Sequence, residues 1–264
     1  EITTRLVGSE MCIRDSPKTI DNDLMHTDHT PGFGSAAKFI STAVLETYLD
    51  SKVYTNNGIF IVETMGRDTG WLAASGALAT INGTKCADLV YLPERAFSVQ
   101  SFLTDVARIF KEKKHVYIVA SEGLKDENGK FLTETASNDD SFGHAQLGGV
   151  GAYLKNLIIQ ASITHRVKSL ELNTLQRCSM HASSKIDVNE AVMVGQAALE
   201  ASVNSEGGYM VAIRRDSSFP YKSSTFLIEA DKIANNIKYF PSEWINEEGN
   251  NITEEGLSCL LYTS

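Results

Sequence analysis

A chain of 264 residues with a formal net charge of −9 has room for one large or two smaller domains, and its acidic balance gives no support for binding nucleic acid or an anionic membrane. Of its four cysteines only Cys86 and Cys178 lie clear of the two ends, too few for a disulfide framework and without metal-site spacing, which suits a reducing cytosol. No apolar run is long enough to span a bilayer as a helix.

The two ends read as opposite strands of one oligonucleotide. Cys259 to Ser264 can be encoded by TGT CTC TTA TAC ACA TCT, whose reverse complement, one frame over, encodes the sequence of Met11 to Asp15. A transposon-derived sequencing adaptor is the expected source, with Leu6 to Glu10 fitting the same adaptor and Glu1 to Arg5 its index region. Residues 1–16 and 258–264 are therefore set aside as non-native. The expected native piece is internal and runs from 17 to 257. Residues 1–16 hold two Lys/Arg and three Asp/Glu and 258–264 hold none, so removing −1 from −9 leaves the piece at −8. Cys86 and Cys178 remain in it.

In chain order, Ser35 to Leu49 places Ala36, Phe39, Ile40, Ala43, Val44 and Leu45 on one helical face, with Ser35 as the N-cap. Gly58 to Glu63 is a short apolar strand, followed by a helix over Gly70 to Ile81. Ala87 to Leu92 and His115 to Ala120 are further strands, with a helix over Val99 to Lys113 between them. Lys125 to Asp140 is polar and rich in Asn, Asp and Gly, an exposed excursion after a strand. A helix over Gly143 to Ile163, a strand over Ser169 to Leu175, a helix over Val188 to Val203 and a strand over Tyr209 to Arg214 complete the pattern. Alternating strands and helices predict an α/β layer fold with a mainly parallel sheet and buried strands.

Ligands of such sheets sit beyond the carboxyl ends of the strands, so the residues there carry the chemistry. Near the start stands Pro17-Lys18-Thr19-Ile20-Asp21-Asn22-Asp23. In an extended segment Asp21 and Asp23 face one cleft while Asn22 faces away. One carboxylate can take a proton from a hydroxyl, the other can hold the water shell of a magnesium ion, and Lys18 offers positive charge to a phosphate. Taken alone, Asp-Asn-Asp also reads as an acidic surface turn. After later strands come Met65-Gly66-Arg67, Ser121-Glu122-Gly123 and Arg177. A guanidinium can grip phosphate with two parallel hydrogen bonds and a carboxylate can accept from sugar hydroxyls; each of these positions also reads as an ordinary turn residue. Pro31 to Ser35 enters a helix and can offer N–H groups to an anion, or serve as a tight entry loop. His144 has no matched partner, the six histidines lack zinc-site spacing, and Trp71 and Trp244 read as packing residues.

Together the opening segment, Met65-Gly66-Arg67-Asp68-Thr69-Gly70-Trp71 and Glu171-Leu172-Asn173-Thr174-Leu175-Gln176-Arg177 resemble the phosphofructokinase family in order and spacing, over Pro17 to Leu257, most closely its pyrophosphate-dependent branch. The resemblance implies a three-layer α/β fold of two Rossmann-like domains, the first incomplete here. Residues 17–33 would end the first, phosphate-donor domain, 34–184 would form the sugar-phosphate domain, 185–235 would return to the first, and 236–257 would be a C-terminal segment. It implies transfer of a phosphoryl group to the C1 hydroxyl of fructose 6-phosphate, in the cytoplasm, by a magnesium-requiring homo-oligomer, dimer or tetramer. Asp21 would be the general base, and Lys18, Thr19 and Asp23 would share the catalytic centre, Asp23 supporting magnesium through water. Thr19, Ile20, Asp21, Met65, Gly66, Arg67, Glu122 and Arg177 would bind the sugar phosphate.

Lys18 favours pyrophosphate as donor, with ATP the alternative; the upstream Gly-Gly-Asp motif that decides this is absent from the piece. Gly58 stands where many bacterial ATP-dependent members have an arginine, and Cys178-Ser179-Met180-His181 replaces the usual Gly-Gly-Ser-Pro turn. Both departures bear on the cross-subunit phosphate clamp, for which His181 or Lys185 are candidate substitutes, a structural role being the other reading of His181. A non-catalytic regulatory paralogue and an unrelated α/β nucleotide-binding module are the rival readings, and neither needs all these strand-end residues together.

Overall fold

The computed structural model describes residues 14–15, 17, 19–53, 58–133, 147–204 and 208–263. Among them the elements are β1 (Arg14–Asp15), α1 (Phe33–Ser51), β2 (Ile59–Thr64), α2 (Trp71–Ser75), β3 (Thr80–Ile81), β4 (Thr84–Lys85), β5 (Leu89–Tyr91) and α3 (Val99–Lys113). They continue with β6 (Val116–Ser121), α4 (Val150–Gln160), β7 (Val167–Glu171), α5 (Leu175–Cys178), α6 (Lys185–Val203), β8 (Tyr209–Ser218), β9 (Tyr221–Glu229) and α7 (Glu254–Thr263).

A parallel sheet in the order β5-β6-β2-β7 forms the centre. Every residue of β2 and β6 is buried, and the pleat divides them between two cores. Phe60, Val62, Tyr117 and Val119 pack with α1 and α2, whereas Ile59, Ile61, Val116 and Ile118 pack with α3 and α4. Helices on both faces make three layers, the architecture expected of buried parallel strands. The smaller sheet, β1-β8-β9, is mixed: β1 runs parallel to β8, and β8 and β9 form an antiparallel hairpin.

Several expectations need correction. The strand predicted over Ser169 to Leu175 lies at Val167–Glu171, and beyond Val167 it is exposed, because it takes the edge of the sheet. Leu175 instead opens the short α5. The helix predicted over Gly70 to Ile81 ends at Ser75 and gives way to a 3-10 turn at Gly76–Leu78. There the backbone presses on the sheet, since a Cβ on Gly76 would stand 3.0 Å from Val119 Cγ1. Asn82 and Gly83, both at positive φ, then turn β3 into β4, as this dipeptide favours. Ser35 does not cap α1; Gly32 occupies the cap, and the Ser35 N–H and hydroxyl both donate to Asp187 Oδ2 at 2.5 and 2.6 Å. The helix predicted over Gly143 to Ile163 runs from Val150 to Gln160; His144 lies outside the described residues.

Residues set aside at the ends also carry structure. Arg14 and Asp15 pair with Tyr209 and Met210, where an open strand edge presents unpaired backbone groups. Leu260 is fully buried beside Leu257, three residues apart on one face of α7.

Candidate active site

Parallel register brings the strand ends together. Glu63 lies opposite Ala120 and Glu171, and Thr64 opposite Ser121, so the segments that follow β2, β6 and β7 emerge along one rim. Two loops are locked to each other there. Ser121 Oγ donates to the Gly66 carbonyl at 2.5 Å, and the Gly66 N–H donates to Glu122 Oε1 at 3.3 Å. A Cβ at Gly123 would collide with the Arg67 carbonyl, so the backbone approach that fixes Arg67 requires glycine at 123. The third segment joins through Gln176, whose Oε1 accepts from the Met65 N–H at 3.2 Å, next to Arg177 on α5.

Glu122 is the junction. Burial raises its pKa most, the Gly66 N–H lowers it, the charge of Asp21 raises it, and those of Arg67 and Arg177 lower it. One half-buried carboxylate thus lies within electrostatic reach of the opening segment and of both guanidinium groups. Arg177 and Ile20 line a cleft of about 350 Å³ with Gly32, Ser35 and Ser183. Met65 and Glu122 line a smaller hollow of about 80 Å³.

The opening segment is not extended, as alternation would require. Asn22 has φ 57 and is fully buried, and its Oδ1 accepts the Thr30 N–H at 3.2 Å; a left-handed turn at Asn tolerates this backbone. Thr30 Oγ1 donates to the Thr19 carbonyl at 2.6 Å. Thr19 Oγ1 in turn accepts the Asp21 N–H at 3.1 Å and donates to Asp21 Oδ2 at 3.3 Å. Asp21 and Asp23 nevertheless remain electrostatic neighbours. Burial first, then Asp21, then Asp68 push the Asp23 carboxyl up to about 6, against the pull of its backbone hydrogen bond. Asp23 Oδ1 is buried with no hydrogen-bond partner. An orphaned carboxylate oxygen beside two further acids fits a divalent cation or its water shell. Lys18 lies outside the described residues.

His181 packs edge-on against Phe39 at 6.2 Å, and Trp71 packs with Phe33, Phe240 and Trp244. Gly58 leaves no room for a side chain, because a Cβ there would run into the Arg166 carbonyl. Composition and spacing gave no sign of Thr30, Gln176 or the buried group His29, Asp187 and Glu190, whose ligand-type atoms lie within 4.8 Å of one another. Both nitrogens of His29 are already engaged by carboxylates, so a metal ion would have to displace those bonds.

A family model described as Phosphofructokinase matches residues 6–202. The chain belongs to the phosphofructokinase family. A protein of Halomonas elongata named pyrophosphate–fructose 6-phosphate 1-phosphotransferase is 40% identical over 241 residues, covering 90% of this chain and 57% of that protein. One from Alkalicoccus urumqiensis named sulfofructose kinase is 38% identical over 210 residues, covering 78% of this chain and 53% of the other. The crystal structure of a pyrophosphate-dependent phosphofructokinase from Marinobacter aquaeolei superimposes with a TM-score of 0.81 at 33% identity, over 99% of this chain and 62% of that one. This phosphofructokinase chain therefore spans little more than half the length of the curated relatives it matches.

Proposed function

We propose that the whole protein is a 6-phosphofructokinase that transfers a phosphoryl group from pyrophosphate to the C1 hydroxyl of fructose 6-phosphate. The observation that carries this is the half-buried Glu122 carboxylate, which accepts the Gly66 N–H and lies within electrostatic reach of Asp21, Arg67 and Arg177. Relatives named for that reaction with pyrophosphate support this donor over ATP. The chain's acids and cations divide the work by position.

Asp21 accepts the proton of the sugar's primary alcohol as the oxygen attacks phosphorus. Its carboxylate is oriented by Thr19 Oγ1, and the turn that carries it is held by Thr30. Arg67 and Arg177 grip the phosphate at the far end of the sugar, Glu122 accepts from its hydroxyls, and Ile20, Met65 and Gly66 wall the pocket. Lys18 offers its charge to pyrophosphate. Phosphoryl transfer has a loose transition state, so positioning and charge compensation supply most of the acceleration. Asp23, beside Asp21 and Asp68, would hold the water shell of a magnesium ion, which would add to that charge compensation.

The proposed domain division has support in the smaller sheet. Segment 17–33 contacts β8 through the Asp28 N–H to Ile213 carbonyl bond of 2.9 Å, in keeping with 185–235 and 17–33 as parts of one domain, 34–184 as the other and 236–257 as the C-terminal segment. A cytoplasmic homo-oligomer, dimer or tetramer, remains part of the proposal. None of the described helices is long and apolar enough to cross a membrane.

The test is the full-length protein with fructose 6-phosphate, magnesium and either pyrophosphate or ATP, read as fructose 1,6-bisphosphate formed. Asp21→Asn is expected to lower kcat by roughly 10²- to 10⁴-fold with little change in KM. Near-normal turnover in that variant would remove Asp21 from the role, and turnover with ATP alone would overturn the donor.

A further inference from the structure

A chain of buried charge runs behind the Asp21 turn. His29 has a side chain only 5% exposed, with Nδ1 2.8 Å from Asp28 Oδ2 and Nε2 2.7 Å from Glu190 Oε2. Both ring nitrogens face carboxylate oxygens, so both must carry a proton for both bonds to form, and the ring is an imidazolium. Arg215 Nη2 donates to the same Asp28 Oδ2 at 2.8 Å, and its Nε donates to Asp28 Oδ1 at 3.2 Å. Glu190 Oε1 accepts the hydroxyls of Tyr221 and Ser223 at 2.5 and 2.7 Å. Lys238 Nζ donates to the carbonyls of Thr27 and Asp28 at 3.0 and 2.6 Å, and Asp187 stands close on α6, held by Ser35. The groups that face His29 or its partners are therefore Asp28 from its own segment before α1, Glu190 and Asp187 from α6, Arg215 from β8, Tyr221 from β9 and Lys238 from the segment after β9.

Buried ion networks of this kind add little stability over an apolar packing of equal volume; their attested use is to fix one geometry. The geometry at stake lies one residue further along. Thr30, next to His29, holds the Thr19 carbonyl through its hydroxyl and Asn22 Oδ1 through its N–H. Those are the residues on either side of Ile20 and Asp21.

We propose that His29 is a positioning residue: braced as an imidazolium between Asp28 and Glu190, it anchors Thr30 and thereby fixes the turn that presents Asp21. This rests on the reading of Asp21 as the base. Burial works against the charged ring, but the hydrogen bonds and charges of Asp28 and Glu190 outweigh it and hold the His29 pKa at about 9. The imidazolium is thus the working form at neutral pH. Arg67, Glu122 and Arg177, which anchor the sugar phosphate in this reading, stand on other elements, so loss of the brace acts on turnover first and reaches sugar binding only through Thr19 and Ile20.

The experiment compares full-length wild type, His29→Gln and the charge-balanced double variant His29→Gln/Glu190→Gln, with Asp21→Asn in parallel. His29→Gln is expected to lower kcat about 10-fold or more, as small misplacements of a reacting group do, with KM for fructose 6-phosphate within about two-fold. Amide exchange should quicken across 19–30 and stay unchanged across 65–67, and any fall of kcat on the alkaline side that follows His29 in the wild type should vanish. The double variant removes the uncompensated buried anion, so it should regain thermal stability without regaining kcat or protection of 19–30. It also serves as the measurement if the single variant does not fold. Wild-type kcat and protection in His29→Gln, or kcat returning together with stability in the double variant, would overturn the proposal. Normal turnover by Asp21→Asn sinks the base assignment instead, and exchange across 19–30 then still decides whether His29 holds the turn.

Discussion

Stability of this protein should fall as pH rises through the range in which His29 loses its proton. The folded-state pKa is raised from 6.5 to about 9, so the folded protein binds that proton more tightly than the unfolded chain. Its contribution is complete below 6.5, declines above it, and is gone once pH passes about 9. At roughly 1.36 kcal/mol per pKa unit the total is about 3 kcal/mol, lost at about 1.4 kcal/mol per pH unit. Lys238 acts in the opposite sense. Burial lowers its pKa from 10.5 to about 8, so the unfolded chain binds that proton more tightly and stability gained there offsets part of the loss above pH 8. The difference between wild type and His29→Gln isolates the histidine, because Lys238 is common to both. Urea unfolding followed by the fluorescence of Trp71 and Trp244 in the full-length protein measures it. A constant difference between the two proteins from pH 6.5 to 9 would refute the imidazolium brace.

Further outcomes follow from the same geometry. Gly123→Ala forces a Cβ against the Arg67 carbonyl; overpacking of this kind costs about 1–3 kcal/mol, and displacement of Arg67 should raise KM for fructose 6-phosphate in steady-state assays while Asp21-dependent proton transfer persists. Asp23→Asn relieves the like charge beside Asp21 and Asp68, and the magnesium concentration for half-maximal activity should rise about 10-fold or more if Asp23 orients the ion's water shell. Phe102 is 1% exposed and packs against Tyr91 and Phe97, on the sheet face away from the Asp21 turn; Phe102→Ala should cost about 3–5 kcal/mol in urea unfolding and leave KM unchanged below the transition. A KM shift there, without loss of stability, would contradict the placement.

The layered α/β order was legible because its signal is local. A strand covered on both faces, such as β2 or β6, must be apolar throughout, and a helix packed on such a sheet, such as α3, shows its period within fifteen residues. That the segments carrying Arg67, Glu122 and Arg177 meet at one rim was legible for a related reason: parallel strands end together, so residues just after strands are neighbours even when far apart in sequence. The exposed strand β7 was read as buried because its edge position depends on which strands lie beside it, and nothing within Val167–Glu171 encodes its neighbours.

The turn at Asn22 and the brace behind it belong wholly to the tertiary structure. Local composition offers Asp-Asn-Asp as an extended pair of acids or as a surface turn, and only a backbone donor from Thr30, eight residues on, selects the left-handed bend. His29 meets Glu190 across 161 positions and Asp28 meets Arg215 across 187. Sequence alone therefore determined which chemistry the chain can hold, since residue type and strand-end placement are short-range properties. Folding decided how Asp21 is aimed, since desolvation and pairing of charge depend on what the closed structure places against each group.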